Sequence, residues 1–113
     1  MVDRAAASAE GAISFGPFRL VPTQRLLLED DNPVRVGSRA LDILTALVER
    51  PGELVGKHEL MARAWRDTFV EEGNLKFQVG ALRRALGDGR AGRRYIATSA
   101  GQGYRFVAPV SVA

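Results

Sequence analysis

From Ile13 the chain alternates short apolar runs with turn-forming residues. Ile13-Ser14-Phe15, Phe18-Arg19-Leu20-Val21, Arg25-Leu26-Leu27-Leu28-Glu29 and Val34-Arg35-Val36 are parted by Gly16-Pro17, Pro22-Thr23-Gln24 and Asp30-Asp31-Asn32-Pro33. Runs this short, with turn chemistry this dense, predict four antiparallel strands with one buried face. The apolar period then lengthens. Leu41, Leu44, Leu47 and Val48 repeat at helical spacing behind Ser38, a good N-cap, until Pro51-Gly52 stops the run. This first helix is expected to cover the sheet. A second helix from Lys57 presents Leu60, Met61, Ala64 and Trp65 on one side and breaks at Asp67-Thr68. A third lies within Glu71 to Gly87, with Leu75, Val79, Leu82 and Leu86 on one narrow stripe. Tyr95 to Thr98 and Tyr104 to Val107, joined through Gly101-Gln102-Gly103, predict a hairpin whose loop is longer than the tight two-residue kind. The sum is an α+β fold over residues 13–110: a four-stranded antiparallel sheet, three helices and a hairpin wing, the order of a winged helix-turn-helix. Residues 1–12, alanine-rich and without period, read as a disordered tail.

The third helix carries the most chemistry. Opposite its apolar stripe stand Asn74, Phe77, Gln78, Ala81, Arg84 and Ala85: two amides, an aromatic, a cation and two small residues that let the backbone come close to a partner. Water alone gives little reason to place Phe77 almost diametrically opposite the core, whereas a helix in a DNA major groove can use each of these side chains. The competing reading is a solvated helix whose Phe77 packs on a neighbouring element.

Net charge is only +3, but it is unevenly distributed. From Gly73 to Arg105 the cations Lys76, Arg83, Arg84, Arg90, Arg93, Arg94 and Arg105 are opposed by Asp88 alone, while acids outnumber bases in the first sixty residues. A basic cluster of this kind is either the footprint of a polyanion binder or an ordinary solvated face. Enzyme chemistry finds no foothold. There is no cysteine, which rules out disulfides, thiolate zinc sites and thiol nucleophiles. The single histidine, in His58-Glu59, lacks the second histidine four residues on that a zincin helix needs. Gly101-Gln102-Gly103 lies between strands and opens no helix toward a phosphate. With no base and orienter beside a nucleophile, the chain reads as not an enzyme, with no cofactor, metal or small-molecule substrate. No apolar run is long enough to span a bilayer and the start lacks a leucine-rich secretory core, so the expectation is a cytoplasmic protein without membrane contact.

Several motifs, in order, also carry a family resemblance: Phe15-Gly16-Pro17-Phe18-Arg19-Leu20, Ala40-Leu41-Asp42-Ile43-Leu44, Pro51-Gly52-Glu53-Leu54-Val55, Glu59-Leu60 with Trp65, Leu82-Arg83-Arg84-Ala85-Leu86-Gly87 and Gly101-Gln102-Gly103-Tyr104-Arg105-Phe106. From Phe15 to Val107 the chain resembles the OmpR/PhoB-type winged-helix DNA-binding domain, in the CadC- or ToxR-like branch that carries it at the N-terminus. The resemblance implies a third helix in the major groove and a wing near the minor groove. It departs from the family where Ala100 stands in place of a frequent wing arginine, and where Gly56 replaces the usual serine before the second helix. The expected function is sequence-specific double-stranded DNA binding in a transcriptional regulator. Asn74, Phe77, Gln78 and Ala81 are the expected base contacts, and Lys57, Trp65, Lys76, Arg83, Arg84, Arg93, Arg94 and Thr98 the expected backbone contacts. Ala100 and Gln102 belong to the wing. Arg83 has an alternative as the ion-pair partner of Glu53, and Trp65 as a core residue. The alternative function is a protein-interaction module, with Phe77 anchoring on RNA polymerase or on a second copy of the chain as a homodimer.

Overall fold

The computed structural model describes residues 11–113; the expected tail lies outside the described residues as far as residue 10. The described residues divide into two compact units, one formed by those up to Arg35 with Pro109–Ala113 and the other by Val36–Ala108.

In the first unit, β1 (Ile13–Phe15), β2 (Phe18–Val21), β3 (Leu26–Glu29) and β4 (Asn32–Pro33) form the expected antiparallel meander. A fifth strand, β8 (Ser111–Val112), joins its edge, giving the order β4-β3-β2-β1-β8. The sheet therefore reaches past the 13–110 span marked by the sequence: Ile13 pairs with Val112, Ala12 is buried, and the Ala113 N–H donates to the Ala12 carbonyl at 2.9 Å. Alternation places Ile13, Phe15, Phe18, Leu20 and Leu27 inside, with the Phe15 and Phe18 rings stacked at 5.5 Å.

The fourth strand was expected at Val34 to Val36, and the turn before it is tighter than that expectation. Asp30 and Asp31 both take left-handed backbone, with φ of 50° and 68°, and close a two-residue hairpin that sets Asn32 opposite Glu29. Pairing thus starts two residues early and runs on through the Val34 N–H, which donates to the Leu27 carbonyl at 2.8 Å. Arg25, expected to open the third strand, is instead left-handed at φ 48° and closes the 3₁₀ turn of Pro22–Gln24.

The second unit holds α1 (Ser38–Val48), α2 (Lys57–Ala64) and α3 (Glu72–Leu86), with β5 (Leu54–Gly56), β6 (Ile96–Ser99) and β7 (Gly103–Phe106) in a sheet ordered β5-β7-β6. Gly37 rather than Ser38 is the N-cap of α1, because its extended backbone lets its carbonyl take the first helical bond, from the Leu41 N–H at 2.9 Å. The three helices pack on one another. Their shared core takes Leu44 and Leu47 from α1, Leu60 from α2, and Leu75, Val79, Leu82 and Leu86 from α3. Each such side chain contributes about 1.5–3 kcal/mol when buried, and the α3 stripe thereby fixes the helix's rotation. Trp65 ends α2 without continuing it, and its backbone turns away at φ −127° and ψ 68°.

Candidate nucleic-acid interface

Burial of the α3 stripe turns the opposite face to solvent. Asn74, Lys76, Phe77 and Arg84 are exposed, Phe77 to 65 %, and Gln78 and Ala81 are half-buried beside them. Phe77 therefore does not pack on a neighbouring element, as one reading of the sequence allowed. At the start of α3 the Asn74 amide reaches back to the Glu71 carbonyl at 3.3 Å. At its end Gly87 is left-handed at φ 69°, and the Asp88 N–H donates to the Arg83 carbonyl at 2.9 Å, closing a Schellman motif that stops the helix.

Asp88, the lone acid of the basic region, has a structural role. Its carboxylate accepts from the Ile96 N–H at 2.9 Å and the Tyr95 N–H at 3.3 Å, tying the start of the wing to the end of α3. Arg83 makes a second tie. Its Nη2 donates to the Ile96 carbonyl at 3.0 Å and to the Thr98 hydroxyl at 2.7 Å, and its guanidinium lies 5.8 Å from the centre of the Tyr104 ring. The alternative pairing of Arg83 with Glu53 is not made, because Glu53 sits with Arg50 at 3.4 Å. Arg50 also pairs with Glu59 at 2.7 Å, and these two acids hold its guanidinium above the usual arginine range.

The wing turn is anchored at its other side. The Gln102 carbonyl accepts from the Lys57 N–H at 3.0 Å, which satisfies one of the amide donors opening α2 behind the side-chain-free Gly56. Gly103 is buried against β5, where a Cβ would collide with the Val55 carbonyl oxygen. At the tip Gly101 has φ 74°, and the Ser99 hydroxyl donates to the Gln102 side-chain carbonyl at 2.8 Å.

These ties bring Lys57, Lys76, Thr98, Ala100 and Gln102 around one open groove between the starts of α2 and α3 and the wing. Glu72 lines the same groove and was given no role by the sequence reading. Its Oε1 lies 2.8 Å from Lys57 Nζ, and this ammonium holds the Glu72 carboxyl below the usual carboxylate range. Its place in the first turn of a helix was the signal available for Glu72 itself, while nothing in the sequence pointed to Lys57 as its partner. Arg93 and Arg94 are exposed but lie in the loop beyond the other end of α3, after the 3₁₀ turn of Arg90–Gly92. Trp65 is only 9 % exposed, with the Arg39 guanidinium 5.9 Å from its ring. Among the described residues no His, Cys, Asp and Glu cluster could hold a metal, and no helix is long and apolar enough to cross a membrane.

Comparison with known proteins places this geometry. Residues 31–106 match the family model described as "Transcriptional regulatory protein, C terminal". The chain is 40 % identical over 86 residues to the transcriptional regulator HilA of Salmonella typhimurium, a match covering 76 % of this chain and 15 % of HilA. It is 28 % identical over 98 residues to the cholera toxin transcriptional activator of Vibrio cholerae, covering 82 % of this chain and 33 % of the activator. The matched stretch is thus a small part of these relatives. In fold it is similar to the DNA-binding domain of Escherichia coli CadC, with a TM-score of 0.80 at 21 % identity over 93 % of this chain and 99 % of that one. It is also similar to the Klebsiella pneumoniae RstA DNA-binding domain solved in complex with the RstA box, with a TM-score of 0.71 at 22 % identity over 85 % and 96 % of the two chains. With a family model spanning most of its length and a winged helix-turn-helix in its structure, the chain belongs to the transcriptional regulatory proteins that carry the OmpR/PhoB-type DNA-binding domain.

Proposed function

We propose that this chain binds double-stranded DNA sequence-specifically as the DNA-binding domain of a transcriptional regulator, with α3 in the major groove and the β6–β7 wing near the minor groove. The observation that carries this is the outward face of α3, where exposed Phe77, Asn74 and Arg84 stand back to back with four fully buried core residues. Gln78 pairs with adenine through its amide, while Phe77 and Ala81 meet thymine methyl groups and Asn74 a base edge. Lys57, Lys76 and Arg84 neutralise phosphates, and Arg93 and Arg94 extend that contact beyond the end of α3. Arg83 and Thr98 act together by setting the wing against α3. No catalytic step belongs to this function, and it is carried out in the cytoplasm.

A second reading, docking on RNA polymerase or on a second copy of the chain, rests on exposed Phe77 and on Phe69, which is 92 % exposed between α2 and α3. Selection of bound duplexes from a random pool, followed by salt titration on the enriched site, decides between them. DNA reading gives a defined motif and a steep fall of affinity with salt. No enrichment, with self-association or polymerase binding that is indifferent to salt, would replace the first reading with the second.

A further inference from the structure

Lys57 is fixed at both ends. Its backbone N–H is bonded to the Gln102 carbonyl of the wing turn, and its Nζ is bonded to Glu72 at 2.8 Å. Its side chain is 27 % exposed and that of Glu72 is 54 % exposed, so the pair lies at the groove wall with the acid on the open side. Glu72 is the only acid among the residues lining this groove, and Lys57 and Lys76 are its cations. On the face assigned to DNA, an acid of this kind opposes the phosphates and also occupies a cation that would meet them.

We propose that Glu72 limits DNA affinity by holding Lys57 in the unbound protein, so that Lys57 exchanges the Glu72 carboxylate for a DNA backbone phosphate on binding. This rests on the reading that the α3 and wing face lies on DNA. Glu72 is then a positioning residue acting through Lys57, and it makes the chain depend on base contacts by weakening the charge contacts that any duplex supplies. On exchange, Lys57 releases a counterion from the phosphate, while the freed Glu72 takes one up from solution. The salt dependence of the wild-type protein is therefore shallower than its cation count implies.

The test is a salt titration, followed by fluorescence anisotropy, of wild type, Glu72→Gln, Lys57→Gln, the double variant and Arg84→Gln on the selected site and on a random duplex. Glu72→Gln is expected to tighten binding by up to about fivefold near 0.1 M salt, the effect of no longer having to part Lys57 from an exposed carboxylate before it meets a phosphate. The gain appears on both duplexes, since a phosphate carries no sequence, and the log K against log salt line steepens by up to about 0.9. In the Lys57→Gln background the gain disappears. A gain that persists there would show a long-range charge effect and overturn the exchange. Weaker binding by Glu72→Gln would also overturn it, since Glu72 would then be making a favourable contact such as one to a cytosine amino group. Unchanged binding by Glu72→Gln, with Arg84→Gln weakening it, sinks the exchange alone. Unchanged binding by all four variants sinks the placement of this face on DNA as well.

Discussion

Arg83→Ala tests whether the tie between α3 and the wing holds the second unit together. The variant removes two hydrogen bonds from Nη2, at 3.0 Å to the Ile96 carbonyl and 2.7 Å to the Thr98 hydroxyl, and the cation–π contact with Tyr104 at 5.8 Å. Bonds from a charged donor contribute about 1.5–3 kcal/mol each when sheltered, but both arise here from one nitrogen. Thr98 is exposed and can bond to water instead, whereas the Ile96 carbonyl is part-buried. Adding about 0.5–1 kcal/mol for the aromatic contact, we expect a loss of about 2 kcal/mol, which in a domain of this size lowers Tm by roughly 10 °C. Urea unfolding followed by circular dichroism should show a lower midpoint at unchanged slope. Thr98→Val should reproduce part of the loss, and the two changes together should cost less than their sum, because they share one bond. Arg83→Lys should rescue only in part, since an ammonium can donate to both oxygens from one nitrogen but lacks the planar group that lies against Tyr104. If Arg83→Ala shifts stability by less than about 0.5 kcal/mol and lowers the DNA salt slope by about 0.9, the arginine is a phosphate contact and the tie contributes nothing.

Phe77→Ala should weaken binding to the selected site by about 1–2 kcal/mol through lost apolar contact, while calorimetry shows Tm nearly unchanged; a fall of several degrees would place Phe77 in the core. Gly103→Ala should destabilise by about 1–3 kcal/mol in urea, because the new methyl meets the Val55 carbonyl, and an unperturbed midpoint would mean that β5 and β7 are less tightly apposed than described. Since the Lys57 ammonium depresses the Glu72 carboxyl in the folded state, that pair contributes stability above the ordinary carboxylate range and loses it as pH falls through the folded value. The small Tm difference between wild type and Glu72→Gln should accordingly be present near neutral pH and vanish on acidification, and a difference that grew in acid would contradict the sign. Ala100→Arg should raise affinity, favour A·T-rich flanks with their narrower minor groove, and steepen the salt slope by about 0.9; no change on either flank would remove the wing from DNA.

Periodicity made the second unit legible. The stripe of Leu75, Val79, Leu82 and Leu86 gave the rotation of α3, and with it the exposure of Phe77, because helix geometry alone relates those positions. The fourth and fifth strands were harder to read. A two-residue turn of type I′ needs two left-handed residues, and two aspartates signal that more weakly than Asn-Gly does. A two-residue strand pairing with one nearly a hundred positions earlier has no local pattern at all. The partners of charged side chains were the least legible. Arg83 could be placed on the helix, but whether it met Glu53, a phosphate or Thr98 depended on where the hairpin folded back. The same dependence hid the meeting of Lys57 with Glu72.

The anchoring of the wing turn sets how much it can vary. Gly103 admits no side chain, the Gln102 backbone carbonyl is committed to α2, and Gly101 has a backbone conformation that side chains rarely adopt. Ala100 combines an exposed side chain with ordinary backbone and no hydrogen bond of its own in the turn, whereas the exposed Gln102 side chain accepts from the Ser99 hydroxyl. Repertoires built by randomising the whole turn would lose most of their members to misfolding. On the proposed DNA-facing surface, one built at position 100, paired with variation at 74, 77, 78 and 81 on α3, would sample new binding preferences while the scaffold stays intact.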